Sequence, residues 1–324
     1  MAKRQFVRVI ISGDSVSTPP SRWEMFSDQA FKGLTRACVL GTILLLFYVL
    51  YLIGKEAVPA IRHYGLSFLT SMSWDAKRGE FGILPQIWGT LYSSFLALVI
   101  GGTFGVTVAV FLTQDFLPKS LQVFFKNIIE LLAAIPSVVY GLWGIYVLIP
   151  LVRPLCDWVH ATLGWIPFFG TTLAGPGMLP AALVLAIMIL PTVAAVSQDS
   201  LLAIPYKVKE AAYGMGTTRW EAIRKVMLPT ASHGIFGALV LGLGRALGET
   251  MALAMLVGNS NQITLSLFSP ANTLAALLAL NFPEAGKVET QALMYAAIVL
   301  LLITLMVNVI GQVIITMTSK HRRI

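Results

Sequence analysis

Arg245 and Glu249 lie inside the run GLGRALGETMALAMLVG, residues 242–258, where nearly every neighbour is apolar or small. Placing a charge at the middle of a membrane helix costs roughly 2.5–3.5 kcal/mol on insertion scales, so two of them call for a reason. Their i, i+4 spacing puts both on one helix face, able to pair. Gly244 and Gly248 form a GxxxG step beside that face, which admits a close helix neighbour. Two readings stay open. One is a buried ion pair that locates a helix–helix contact. The other is a site for a passing anion, with the planar guanidinium of Arg245 matching oxyanion geometry and Glu249 offsetting its charge when the site is empty. No other constellation suggests chemistry. His63, His160, His233 and His321 are scattered without metal-ligand spacing, and G-x-S-x-G, H-E-x-x-H and the phosphate-cradling G-x-x-x-x-G-K-[ST] runs are missing from the sequence. Enzyme chemistry within the chain is therefore disfavoured.

The elements that must hold these two residues are membrane helices. Of the 324 residues 56% are hydrophobic and only 12% charged, against about 25% charged in a soluble domain. Long apolar runs place six spans near Ala37–Ile53, Leu84–Leu112, Asn127–Leu151, Met178–Ala195, Gly234–Val257 and Ala292–Met317. Pro136 interrupts the third, and 153–177 reads as an irregular interfacial segment. Gly101 and Gly105 give the second span a small-residue packing face. Pro270 and Pro283 break the weakly apolar stretch 258–289. Residues 1–36 read as a polar cytoplasmic arm, with an interfacial helix around Trp23–Phe31, ahead of a transmembrane domain over 37–324. Cys38 and Cys156 fall at opposite membrane faces, so no bridge is expected. With the N-terminus inside, sixteen Lys and Arg lie in the inner segments and six in the outer ones, the asymmetry expected of an N-in, C-in chain. The net charge of +8 is parcelled between spans, which fits lipid headgroups and topology better than nucleic acid.

The inner segment 205–229 holds five of the basic residues and the punctuation of two short helices. Pro205 suits a helix start, and Gly214 and Gly216 can close one. Thr218 with Glu221 makes a capping box for the second, on which Trp220, Ile223 and Met227 share a side. A basic loop that only fixes topology is the plain reading. The spacing goes further: Glu210-Ala211-Ala212, three residues, Gly216, nine residues, then Val226-Met227-Leu228-Pro229 resembles the EAA loop of ABC-importer permeases, with Val226 where that pattern prefers Ile. The resemblance implies that Glu210, Ala211, Ala212, Gly216, Val226, Leu228 and Pro229 couple the chain to a cytoplasmic ATPase.

The run Gly244–Ala252 and the stretch Ile135–Gly141 narrow the likeness. They are similar to the phosphate ABC importer permeases, PstC and PstA, and Trp88-Gly89-Thr90-Leu91 and Thr273-Leu274-Ala275-Ala276 look more like the PstC branch. The resemblance implies an all-α, six-span type I importer fold in the bacterial inner membrane, with Arg245 and Glu249 on the substrate path. It implies a PstA-like second permease chain, a PstB-like ATPase dimer that carries the ATP and Mg²⁺, and a PstS-like external phosphate-binding protein. No cofactor or metal is then expected on this chain. Rival readings are a permease for sulfate or molybdate, which Arg245 does not distinguish from phosphate, and an ATPase-independent secondary transporter, which would have little use for the shaped inner loop.

Overall fold

The computed structural model describes residues 22–114 and 116–320. It divides into two compact units, Met1–Leu52 and Ile53–Ile324. Six helices are long and apolar enough to cross a membrane. The first 21 residues of the expected arm lie outside the described residues. From Arg22 onward the expected arm and first span are one helix, α1, Arg22–Tyr64, longer at both ends than the apolar run. Nothing in its sequence stops it at Gly54-Lys55-Glu56, because Lys and Glu propagate a helix well and one Gly costs only about 1 kcal/mol. Short α2, Ser67–Thr70, and a hairpin of β1, Trp74–Asp75, with β2, Glu80–Phe81, follow. Phe68 anchors them by stacking on Tyr295, ring centroids 4.5 Å apart.

The second span, α3, Leu84–Thr113, matches expectation and contains one π turn at Leu98–Gly102. Its glycine face meets α6, Met178–Leu202. A Cβ on Gly101 would stand 2.5 Å from the Ala186 carbonyl oxygen, and one on Gly105 2.9 Å from Val193. Helix α6 is the centre of the second unit, with 61% of its apolar window buried. It runs beyond the expected Ala195, and Pro191 does not end it.

The third span departs from expectation. Pro136 divides the apolar run into α4, Lys119–Ala134, and α5, Ser137–Leu163. Proline has no N–H to give to the carbonyl of Leu132, and the Tyr140 hydroxyl donates to that oxygen instead, at 2.8 Å. α5 then continues through the segment expected to be irregular. Pro150 sits in its turn after the π segment Gly144–Leu148, and only 164–177 lacks a long helix.

The first half of the inner loop forms α7, Tyr206–Gly214; after a turn at 215–218 its second half runs without interruption into the fifth span, α8, Arg219–Leu247. The expected span over Gly234–Val257 is broken instead at 248–250, after which α9, Met251–Leu256, begins. Residues 258–273 are coil, tied to α3 by Gln86 Nε2 donating to Asn261 Oδ1 at 2.7 Å, Trp88 Nε1 to the Thr264 carbonyl at 3.1 Å and the Tyr92 hydroxyl to the Leu265 carbonyl at 2.9 Å. Short α10, Leu274–Asn281, precedes the last span, α11, Lys287–Lys320. Cys38 and Cys156 are both free.

Candidate functional site: an arginine within a span and the 205–229 loop

Arg245 ends α8, and the main chain leaves the helix at Gly248, its C-cap. Glu249 therefore does not lie one turn above Arg245, and the expected ion pair is not formed: among the described residues no salt bridge includes either side chain. Glu249 turns to the start of α9, where its Oε1 accepts from the Ala252 N–H at 3.4 Å. A carboxylate there meets the positive end of the new helix, which favours it. The GxxxG expectation holds at one residue only. Gly244 faces Asn308 of α11, whose Oδ1 would be 3.2 Å from a Cβ, whereas Gly248 has only carbonyls of its own helix within 4 Å.

The partner of Arg245 comes from across the fold. Its Nη1 donates to Thr192 Oγ1 of α6 at 3.2 Å. Thr192 was not singled out from sequence; the available signal was a hydroxyl directly after the in-span Pro191. Arg245 remains exposed, with the rest of its five donors open to another group. Two separated spans, α6 and α8, thus meet at one polar contact.

The loop keeps most of the expected local geometry. Gly216 has φ +79, the left-handed conformation that glycine tolerates, while Gly214 ends α7 without needing it. Thr217 Oγ1 donates to the Ala212 carbonyl at 2.8 Å, which closes α7. Both halves of the capping box are present: the Glu221 N–H reaches Thr218 Oγ1 at 3.3 Å, and the Thr218 N–H reaches Glu221 Oε2 at 3.2 Å. Lys225 pairs with Glu221 at 3.2 Å. Ile223 and Met227 are buried; Trp220 lines one groove with Ile223, on the expected side, but is itself 63% exposed. The helix widens to π turns over Ala222–Met227. That wider geometry also accommodates Pro229 in a continuing helix.

Burial sorts the EAA residues into two groups. Glu210, Ala211 and Gly216 are exposed, whereas Ala212 is buried and Val226, Leu228 and Pro229 are half-buried. Ala212, Ala222, Ile223 and Met227 share a core with Ala109 of α3 and Leu201 of α6. The loop is thereby fixed to the spans on one side and bare on the other. Among the described residues no group of three or more His, Cys, Asp or Glu could hold a metal ion. His160 is occupied by the Phe169 carbonyl at 2.7 Å, and His321 lies outside the described residues.

Residues 101–323 match the profile of the family described as binding-protein-dependent transport system inner membrane component. The phosphate transport system permease protein PstC of Mesorhizobium japonicum is 39% identical over 295 residues, covering 88% of this chain and 89% of that protein. PstC of Haemophilus influenzae is 39% identical over 300 residues, covering 91% and 95%. A probable PstC of the archaeon Methanocaldococcus jannaschii is 32% identical, covering 90% and 94%. Among solved structures, a chain of the bacterial alginate ABC transporter superimposes with a TM-score of 0.60 at 19% identity, covering 88% of this chain and 95% of that one. A chain of the inward-facing MetNI methionine ABC transporter gives 0.54 at 20% identity, covering 73% and 95%. At such identities the two structures speak for the type I importer fold alone. With the profile and the relatives in agreement along most of its length, the chain belongs to the family of binding-protein-dependent transport system inner membrane components, in its PstC branch, and is a multi-pass protein of the inner membrane.

Proposed function

We propose that the chain is the transmembrane permease subunit of an ATP-driven importer of inorganic phosphate. The observation that carries this is Arg245: a permanently charged fork within a membrane span, held by a neutral hydroxyl and no carboxylate, with donors left over. A guanidinium facing lipid would be expensive. The exposed face of α8 that bears it therefore borders an aqueous cavity shared with a second permease chain. There the fork can take two oxygens of a tetrahedral oxyanion, and Thr192 supplies a further hydroxyl contact. Glu249 shapes the start of α9 beside the site and moderates the net positive charge without neutralising it directly. The anion is then bound weakly enough to leave.

ATP hydrolysis belongs to a separate, PstB-like subunit. The exposed Glu210, Ala211 and Gly216 present the loop to that ATPase, and the buried Ala212, Ile223 and Met227 pass its movement to α3 and α6. Rigid displacement of the loop then alternates the cavity between outward and inward openings. A PstA-like chain completes the cavity, and a PstS-like external protein delivers phosphate and supplies most of the selectivity. The PstC relatives support phosphate over other oxyanions.

Uptake of labelled phosphate by a strain lacking every other phosphate importer tests the reading. This chain should restore uptake, and excess phosphate should compete while sulfate and molybdate do not. Competition by sulfate or molybdate at equal concentration would reassign the cargo, and uptake unchanged by deleting the chain would refute the function.

A further inference from the structure

We infer that Asp199 is the exit-side charge of the anion path, a carboxylate that weakens rebinding of the transported oxyanion from the cytoplasm. The inference rests on the reading of Arg245 as the anion site.

Thr192, which holds Arg245, is seven residues before Asp199 on α6. Seven residues are close to two turns, so Asp199 sits on the same helix face, about 10 Å nearer the cytoplasmic end. Burial along α6 supports that placement. Ala195, between them, and Asp199 are both exposed, whereas Val193, Ser197 and Leu201 on the other faces are buried. The stripe Thr192–Ala195–Asp199 thus continues the face on which Arg245 lies, toward the loop that meets the ATPase. Among the described residues no base lies within ion-pair distance of Asp199. The nearest basic residues in sequence, Lys207 and Lys209, belong to α7 beyond the turn at Pro205.

An unpaired carboxylate is an unexpected lining for an anion's route, because it offers acceptors only and no donor to phosphate oxygens. The rise of about 10 Å from Thr192 to Asp199 is about one Debye length at physiological salt, so Asp199 perturbs binding beside Thr192 modestly and repels most strongly where the anion passes beside it. Narrow walls of low dielectric strengthen that field. A fixed charge cannot set the direction of transport, which ATP supplies. It can lower the occupancy of the inward-open site by phosphate already in the cytoplasm, so that accumulated product does not stall the next cycle.

The test uses the assembled complex, with its second permease chain and ATPase, in proteoliposomes. ATP and graded inorganic phosphate are placed inside, and the binding protein with labelled phosphate outside. Asp199→Asn should take up phosphate into phosphate-free vesicles within twofold of wild type. It should need three- to tenfold less internal phosphate to halve that rate, and Asp199→Glu should restore the wild-type tolerance. Equal sensitivity of Asp199→Asn and wild type to internal phosphate overturns the inference. So does a variant that fails in phosphate-free vesicles and loses its ATPase on gel filtration, which would mark Asp199 as an assembly contact. Wild-type vesicles that take up no phosphate refute the parent function, and the exit-side assignment falls with it.

Discussion

A guanidinium bound to a hydroxyl differs from one bound to a carboxylate in what it leaves for a ligand. Paired with Glu249, Arg245 would have most of its charge and two of its donors satisfied. Held by Thr192, it keeps its full charge and its fork. This supports the proposed anion site over the ion pair, since an ion pair that merely locates a helix contact would need the pair to form. Arg245→Gln should abolish phosphate uptake while the complex still assembles; a protein that disappears from the membrane would restore a structural role. Arg245→Lys keeps the charge but loses the planar fork, and uptake should fall well below wild type. Thr192→Val keeps the volume and removes the hydroxyl that orients Arg245. A hydrogen bond to a charged group contributes about 1.5–3 kcal/mol, so uptake should drop on the order of tenfold with no change in the amount of protein.

Helices here carry function through where they touch and where they break. The contact of α3 with α6 depends on Gly101, where any side chain would meet the main chain of Ala186. Gly101→Val should destabilise the bundle by about 1–3 kcal/mol, seen as a lower melting temperature in detergent and less protein in the membrane. The start of α8 depends on the capping box. Thr218→Ala removes one half and leaves the Glu221 N–H without its acceptor, at a cost of about 0.5–2 kcal/mol. Protease nicking between Gly216 and Arg219 should rise, with the spans themselves intact. At Pro136 the break between α4 and α5 is stabilised by the Tyr140 hydroxyl on Leu132, so the interruption is a built joint and not a frayed end.

For the whole molecule, the loop has one side packed on the spans and one side bare. One side is sealed against α3 and α6 by Ala212, Ile223 and Met227, and the other presents Glu210, Gly216 and Trp220 to solvent. On the proposed function, work delivered to the bare side would reach the spans through packed side chains, which move as a body because close-packed cores deform little. Detergent-solubilised chain should therefore bring down the ATPase. Glu210→Lys and Gly216→Asp should release it without lowering expression; retention of the ATPase by both variants would show that the loop docks elsewhere.

What the sequence determined by itself is what nearby residues can specify. The spans follow from apolar run length, the small-residue face from Gly101 and Gly105, the capping box from Thr218 and Glu221, and the positive φ from Gly216. The likeness of the inner loop and of the run around Arg245 to importer permeases was legible for the same reason: it resides in fixed short spacings. Only the tertiary structure decided the partner of Arg245. Helical periodicity put Glu249 beside it, but Gly248 ends the helix, and the hydroxyl that replaces Glu249 arrives from α6, more than fifty residues away in the chain. The exposure of Trp220 and the division of the EAA residues into anchored and free groups were likewise invisible. They depend on which neighbouring helix covers each side, and no local pattern encodes that.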